Sequence, residues 1–170
     1  MDIPRIIQPV EFVDHRGTFS EIFNAAKWEE QGIRFVTENF AWSRENVFRG
    51  LHYQTVNPQG KLLSVVHGVI LDITVDVREG SFLFGENYWY ALSGSLRQQL
   101  WIPPGFAHGY QVLSEYAAVI YLATQYRHEE SEVVIRYDDP ALGLQVPDRV
   151  IVSEKDRNGI LLADAPRVKV

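Results

Sequence analysis

A chain of 170 residues that is 46% hydrophobic and 22% charged has the composition of an ordinary globular protein with room for a sizeable core, and this excludes a disordered chain. The formal net charge of −6 excludes a basic field that would draw nucleic acid or an anionic membrane, so an anionic small ligand would need a local group of arginine and lysine. Cysteine is absent, which removes disulfides and thiolate metal sites, and no apolar run approaches membrane-spanning length.

Residues 1–170 read as one domain with no linker, internal repeat or low-complexity segment. Met1 to Arg5 lack a basic stretch followed by an apolar one, which predicts a soluble, cytoplasmic protein without a signal peptide. Ile6 to Val13, interrupted by Pro9, reads as an edge strand. Asp14-His15-Arg16-Gly17 is a turn, and Thr18 to Phe23 a second strand. Asn24 is placed to cap a short helix over Ala25 to Gln31, ended by Gly32.

From Phe35 the pattern is β. Leu62 to Val66 is an apolar run. In Val69 to Val77, the residues Val69, Leu71, Ile73, Val75 and Val77 share one face, with Asp72, Thr74 and Asp76 on the other, which predicts a half-buried antiparallel strand. Tyr88 to Leu92, Gln99 to Ile102, Phe106 to Leu113 and Ala117 to Tyr126 follow as strands separated by Gly, Pro and Ser turns. After Tyr137-Asp138-Asp139-Pro140 the tail, with Pro147, Pro166 and the charged run Ser153 to Arg157, reads as loop with short helical pieces packed back on the sheet. Many short strands and little helix predict an all-β fold, an antiparallel jelly-roll barrel with a few short helices.

Two stretches carry the candidate chemistry. In Arg49-Gly50-Leu51-His52-Tyr53-Gln54, alternation puts Gly50, His52 and Gln54 on one face and Arg49, Leu51 and Tyr53 on the other. Gly50 there leaves room for another backbone or a ligand. Taken alone, His52 reads equally well as a core histidine with a hydrogen-bonded partner. Gln59-Gly60-Lys61-Leu62 adds a lysine close by. In Pro103-Pro104-Gly105-Phe106-Ala107-His108, a Pro-Gly turn delivers His108 near the start of a strand, where it can look into a barrel mouth. Tyr121 shares a strand face with Val119 and Ala123, and Tyr126 ends the same strand; core filling with the hydroxyl at a wet edge serves as well for either.

The P-x-G-x-x-H pattern resembles the second motif of the cupin superfamily. Metal-binding cupins carry an H-x-H pair in their first motif, and none occurs here, so no metal is expected. The motifs RGLHYQ, QGKL, VDVREGS, WIPPGFAHG, YLATQY, YDDPALG and SEKDR occur in that order from about Asp14 to Ala165. Together they make the chain similar to the dTDP-4-dehydrorhamnose 3,5-epimerase family, cupin enzymes acting on nucleotide-linked 4-keto-6-deoxysugars.

The resemblance implies epimerisation at C3, C5 or both without any cofactor, most simply of dTDP-4-dehydro-6-deoxy-D-glucose to dTDP-4-dehydro-L-rhamnose. Such chemistry needs a base on one face of the sugar, a stabiliser for an enolate oxygen and an acid on the other face. It implies His52 as base, Asp156 as the carboxylate orienting its ring, Lys61 and His108 as donors near the C4 oxygen, and Tyr121 as acid. It further implies Arg49 at the pyrophosphate, Asn39 and Ser43 in the substrate site, and Tyr126 against the base or sugar; Gln54, on the face of His52, joins the substrate-binding set. Arg16, Phe19 and Glu21 would reach into the partner subunit of a homodimer. Without the resemblance, Arg16 is a turn residue and Phe19 a core one. One position departs from the family: Thr37 stands where a glutamine contacts thymine, and one hydroxyl cannot make an amide's two-point contact. Other readings are a 4-keto-sugar isomerase of the same fold, which lacks the RGLHYQ and QGKL pair, and a non-catalytic sugar-binding cupin, which would need no acid–base set.

Overall fold

Runs of β-branched and aromatic residues through the middle of the chain pair antiparallel into two five-stranded sheets. The computed structural model describes residues 2–144 and 149–170; Pro147 of the tail lies outside them. In order, the strands are β1 (Arg5–Ile7), β2 (Phe12–Asp14), β3 (Gly17–Phe19), β4 (Thr37–Arg44), β5 (Phe48–Gln54), β6 (Lys61–His67), β7 (Val69–Asp76), β8 (Asn87–Ser93), β9 (Gln99–Ile102), β10 (Phe106–Val112), β11 (Tyr116–Ala123) and β12 (Glu132–Val134). Among the described residues, two short helices, α1 (Ala25–Glu29) and α2 (Glu154–Arg157), and three 3-10 turns join these strands. The first sheet runs β1-β9-β6-β11-β4 and the second β12-β5-β10-β7-β8, while β2 and β3 form a separate hairpin. This is the expected all-β, antiparallel jelly-roll architecture. No helix of the described residues is long and apolar enough to cross a membrane.

Three apolar layers hold the sheets. Leu63, Val65, Ile70, Leu100, Tyr110 and Val119 fill the space between the two sheets. On the outer face of the second sheet, Phe48, Leu51, Ile73 and Val75 meet Ile135, Leu142, Leu162 and Val168 of the C-terminal segment, which does pack back as expected. On the first sheet, Trp28 of α1 packs on Leu62 and Trp101.

This double coverage overturns the half-buried reading of β7. Asp72, Thr74 and Asp76 are all 0% exposed, because the C-terminal segment covers one face of the strand and the other points into the barrel. Asp76 accepts hydrogen bonds from Arg78 Nε (3.1 Å) and Ser81 Oγ (2.8 Å), and the guanidinium lies 4.6 Å from the Phe106 ring centroid. Asp139 accepts from the backbone N–H of Ala141 (2.9 Å) and Leu162 (2.6 Å). The VDVREGS and YDDPALG motifs are thus accounted for by folding.

Several boundaries shift. The segment read as one edge strand divides around Pro9: β1 lies at the edge of the first sheet and β2 pairs with β3. The strand from Thr18 stops at Phe19, and Asn24 accepts from Lys27 N–H (3.4 Å) to cap α1, which ends at Glu29, two residues before the expected end. β11 ends at Ala123, so Tyr126 lies beyond the strand, in the following loop.

Candidate active site

The site is built where β5 meets β10. His52 pairs with His108, but Arg49 pairs with Tyr110, so β5 carries one residue more than β10 across this step. The bulge falls at Gly50, whose φ is +121°. A Cβ there would stand 2.5 Å from Gly109 Cα and 2.7 Å from His108 O. Gly50 therefore admits the neighbouring backbone. The bulge also reverses the simple alternation: Arg49, expected on the face away from His52, lines the same cavity as His52.

That cavity, about 1030 Å³, opens between the two sheets beside α2. It gathers Asn39 and Ser43 of β4, Arg49 and His52 of β5, Lys61 of β6, His108 of β10, Tyr121 of β11 and Asp156 of α2. A recess of about 140 Å³ shares His52, Lys61 and Tyr121 and adds Thr37 and Gln54. Sequence reasoning could not join Asp156 to His52. In the fold Ser153 caps α2, and Asp156 Oδ1 lies 2.6 Å from His52 Nε2 while Oδ2 accepts from Gly50 N–H (3.3 Å). Burial alone would raise the Asp156 carboxyl, but these bonds outweigh it and hold it below its ordinary value.

The remaining groups are tuned by burial. Lys61 is pushed down to about 8 by burial, against the pull of Asp72 and Glu132. Burial raises Tyr121, against Arg49 and Arg127, so its hydroxyl keeps its proton at neutral pH. Arg49 Nε donates to Ser43 Oγ (3.0 Å). His52 stands on the second sheet and Tyr121 and Lys61 on the first, so base-type and acid-type side chains enter the cavity from opposite sheets. Among the described residues, no group of three or more His, Cys, Asp or Glu is placed to hold a metal ion.

Other expected residues lie elsewhere. Arg16, Phe19 and Glu21 do not line the cavity or the recess: Arg16 is paired with Asp14 (Nε to Oδ2, 3.0 Å), Glu21 with Lys27 (2.6 Å), and Phe19 is 69% exposed beside Phe12. Tyr126 is 70% exposed and lines neither space. Gln54 is occupied, donating to Asn57 O and Tyr126 O (3.2 Å) and accepting from His128 N–H (3.2 Å), so it anchors the loop after β11.

Three wall residues went unrecognised in the sequence. Glu132 accepts from Arg127 Nη2 (2.7 Å) and Lys155 Nζ (2.8 Å) at the cavity edge. Nothing in the local sequence around them signalled this. Asp72, which accepts from His108 (2.8 Å), did carry a signal, its place in the β7 alternation, but the polar face was assigned outward.

The family model described as dTDP-4-dehydrorhamnose 3,5-epimerase matches residues 3–164. The chain is 43% identical over 167 residues to a dTDP-4-dehydrorhamnose 3,5-epimerase of Methanothermobacter thermautotrophicus, covering 95% of this chain and 90% of that one. It is also 43% identical to the Pseudomonas aeruginosa enzyme of that name, covering 96% and 94%. Among solved structures, the dTDP-6-deoxy-D-glucose-3,5-epimerase of Legionella pneumophila in complex with dTDP-4-keto-L-rhamnose superposes with a TM-score of 0.92 at 43% identity, covering 100% of this chain and 96% of that one.

Proposed function

The chain belongs to the dTDP-4-dehydrorhamnose 3,5-epimerase family and is an isomerase of that type, and we propose that it works by proton transfer between His52 and Tyr121 across the cavity. The observation that carries this reading is the carboxylate-held imidazole facing a protonated tyrosine from the opposite sheet. With Nε2 engaged by Asp156, His52 offers Nδ1 as the base. It takes the proton from the carbon next to the C4 ketone, and the electron pair moves onto the C4 oxygen. Lys61, a cation lining the same cavity, stabilises that enolate oxygen. Tyr121 returns a proton to the carbon from the other face, which inverts it. Asp156 stabilises the imidazolium that His52 becomes. The substrate is dTDP-4-dehydro-6-deoxy-D-glucose and the product dTDP-4-dehydro-L-rhamnose, with no metal or organic cofactor taking part.

Arg49, Asn39 and Ser43 hold the nucleotide end. Arg16, Phe19 and Glu21 complete it from the second subunit of a homodimer. Their exposure on a hairpin and the segment just after it, outside the lining of their own chain's cavity, supports that assignment. Incubation with dTDP-4-dehydro-6-deoxy-D-glucose in deuterated water, followed by proton NMR, tests the reading. Deuterium at both C3 and C5 with conversion to the L-rhamno product is expected. No uptake at either carbon would sink it.

A further inference from the structure

A second imidazole in the cavity is held much as the first is. His108 Nε2 lies 2.8 Å from Asp72 Oδ2, and the two side chains are 7% and 0% exposed. Asp72 Oδ1 has no hydrogen-bond partner among the described residues, so the carboxylate's only hydrogen bond goes to this ring. A buried carboxylate accepts, so Nε2 carries the hydrogen, and only Nδ1 is left to meet a ligand.

What Nδ1 can do depends on the ring's charge. His108 stands directly across from His52 in the β5–β10 ladder and shares its cavity with Lys61. Asp72 on β7, Lys61 on β6 and His52 on β5 are the titratable groups acting on the ring. With Lys61 in the same cavity, a cationic His108 would set two positive charges against Asp72 and would oppose protonation of His52 during the reaction. In keeping with this, burial lowers the His108 value despite the opposing pull of Asp72.

We propose that Asp72 is a positioning residue for the reaction: it fixes His108 as the neutral Nε2–H form, so that the Nδ1 lone pair accepts a hydrogen bond from a ring hydroxyl of the sugar instead of donating to the C4 oxygen. Lys61 is then the side chain that meets the developing charge. The hydroxyl part of this inference rests on the epimerase reading; the tautomer does not, and the tests separate the two.

Long-range ¹H–¹⁵N correlation NMR of the resting protein reads the form directly, with the His108 signals assigned from a His108→Asn variant. An unprotonated Nδ1 with a protonated Nε2 is expected; a protonated Nδ1 overturns the proposal without any substrate being added. In Asp72→Asn the side-chain amide can present N–H to Nε2, so the fixed form should give way to mixed tautomers. An unchanged signature in a folded Asp72→Asn protein would remove Asp72 from the role. His108→Gln keeps an amide donor for Asp72 and an oxygen acceptor for substrate but can never be cationic. Its kcat/KM should exceed that of His108→Leu by about tenfold, the difference appearing mainly in KM. A kcat about 10²–10³-fold below wild type in both variants, with KM unchanged, would make His108 an oxyanion donor and overturn the proposal. If wild-type protein shows no deuterium uptake, the epimerase reading fails while the tautomer result stands.

Discussion

Gly50→Ala tests whether the bulge on β5 builds the site. The added Cβ would meet Gly109 Cα at 2.5 Å and His108 O at 2.7 Å, both backbone atoms that cannot swing aside. The backbone at φ +121° also disfavours any side chain. Conformational strain of ~1–3 kcal/mol and overpacking of ~1–3 kcal/mol sum to roughly 2–6 kcal/mol of lost stability. Gly143→Ala is the control: its φ is +63° with nothing within 4 Å, so conformation alone should cost about 1 kcal/mol. Urea unfolding followed by tryptophan fluorescence measures both. Relief of the clash must move β5 away from β10, which carries His52 and Arg49 with it. A displacement of ~1 Å at a reacting group costs about 10²-fold, so deuterium uptake should fall by that order in whatever protein remains folded. A Gly50→Ala protein within about 0.5 kcal/mol of wild type and with full exchange would refute the reasoning.

His52→Ala should abolish both C–H exchange and product, whereas Tyr121→Phe should keep exchange with retention and lose inverted product by ~10²–10⁴-fold; inversion at the wild-type rate would assign the acid elsewhere. Lys61 must be protonated to act, so kcat/KM should fall as pH rises through about 8, and Lys61→Arg should move that limb upward. Asp156 is held below its ordinary value, so its contribution to stability is full above the unfolded value of ~3.9 and is lost as pH falls through the folded one; Asp156→Asn should lower stability at neutral pH and make the acid limb of the urea midpoint shallower. If the site is shared between subunits, mixing inactive His52→Ala and Arg16→Ala proteins should restore about a quarter of wild-type activity through heterodimers with one intact site, and no recovery after verified subunit exchange would place Arg16 outside the site.

Local pattern carries far in this protein. Period-two alternation and Gly-Pro punctuation suffice for the all-β class and for most strands, because side chains on a strand must alternate whatever it pairs with. The cap at Asn24 was legible for the same local reason, and so was the need for a small residue at Gly50. Faces and partners were not. Asp72 and Asp76 alternate as an outward face would, yet both are buried, since what covers a strand is set by segments distant in the chain. Arg49 shares a cavity with His52 only because one extra residue on β5 shifts its phase, and a bulge leaves no periodic mark in a single sequence. His52 and Asp156 are 104 residues apart, and a hydrogen bond over that separation is created by the packing of α2 beside β5. The candidate site residues could be named from their types and motifs. Which nitrogen each histidine keeps free was decided by tertiary structure alone, because that depends on which carboxylate the fold brings against the ring.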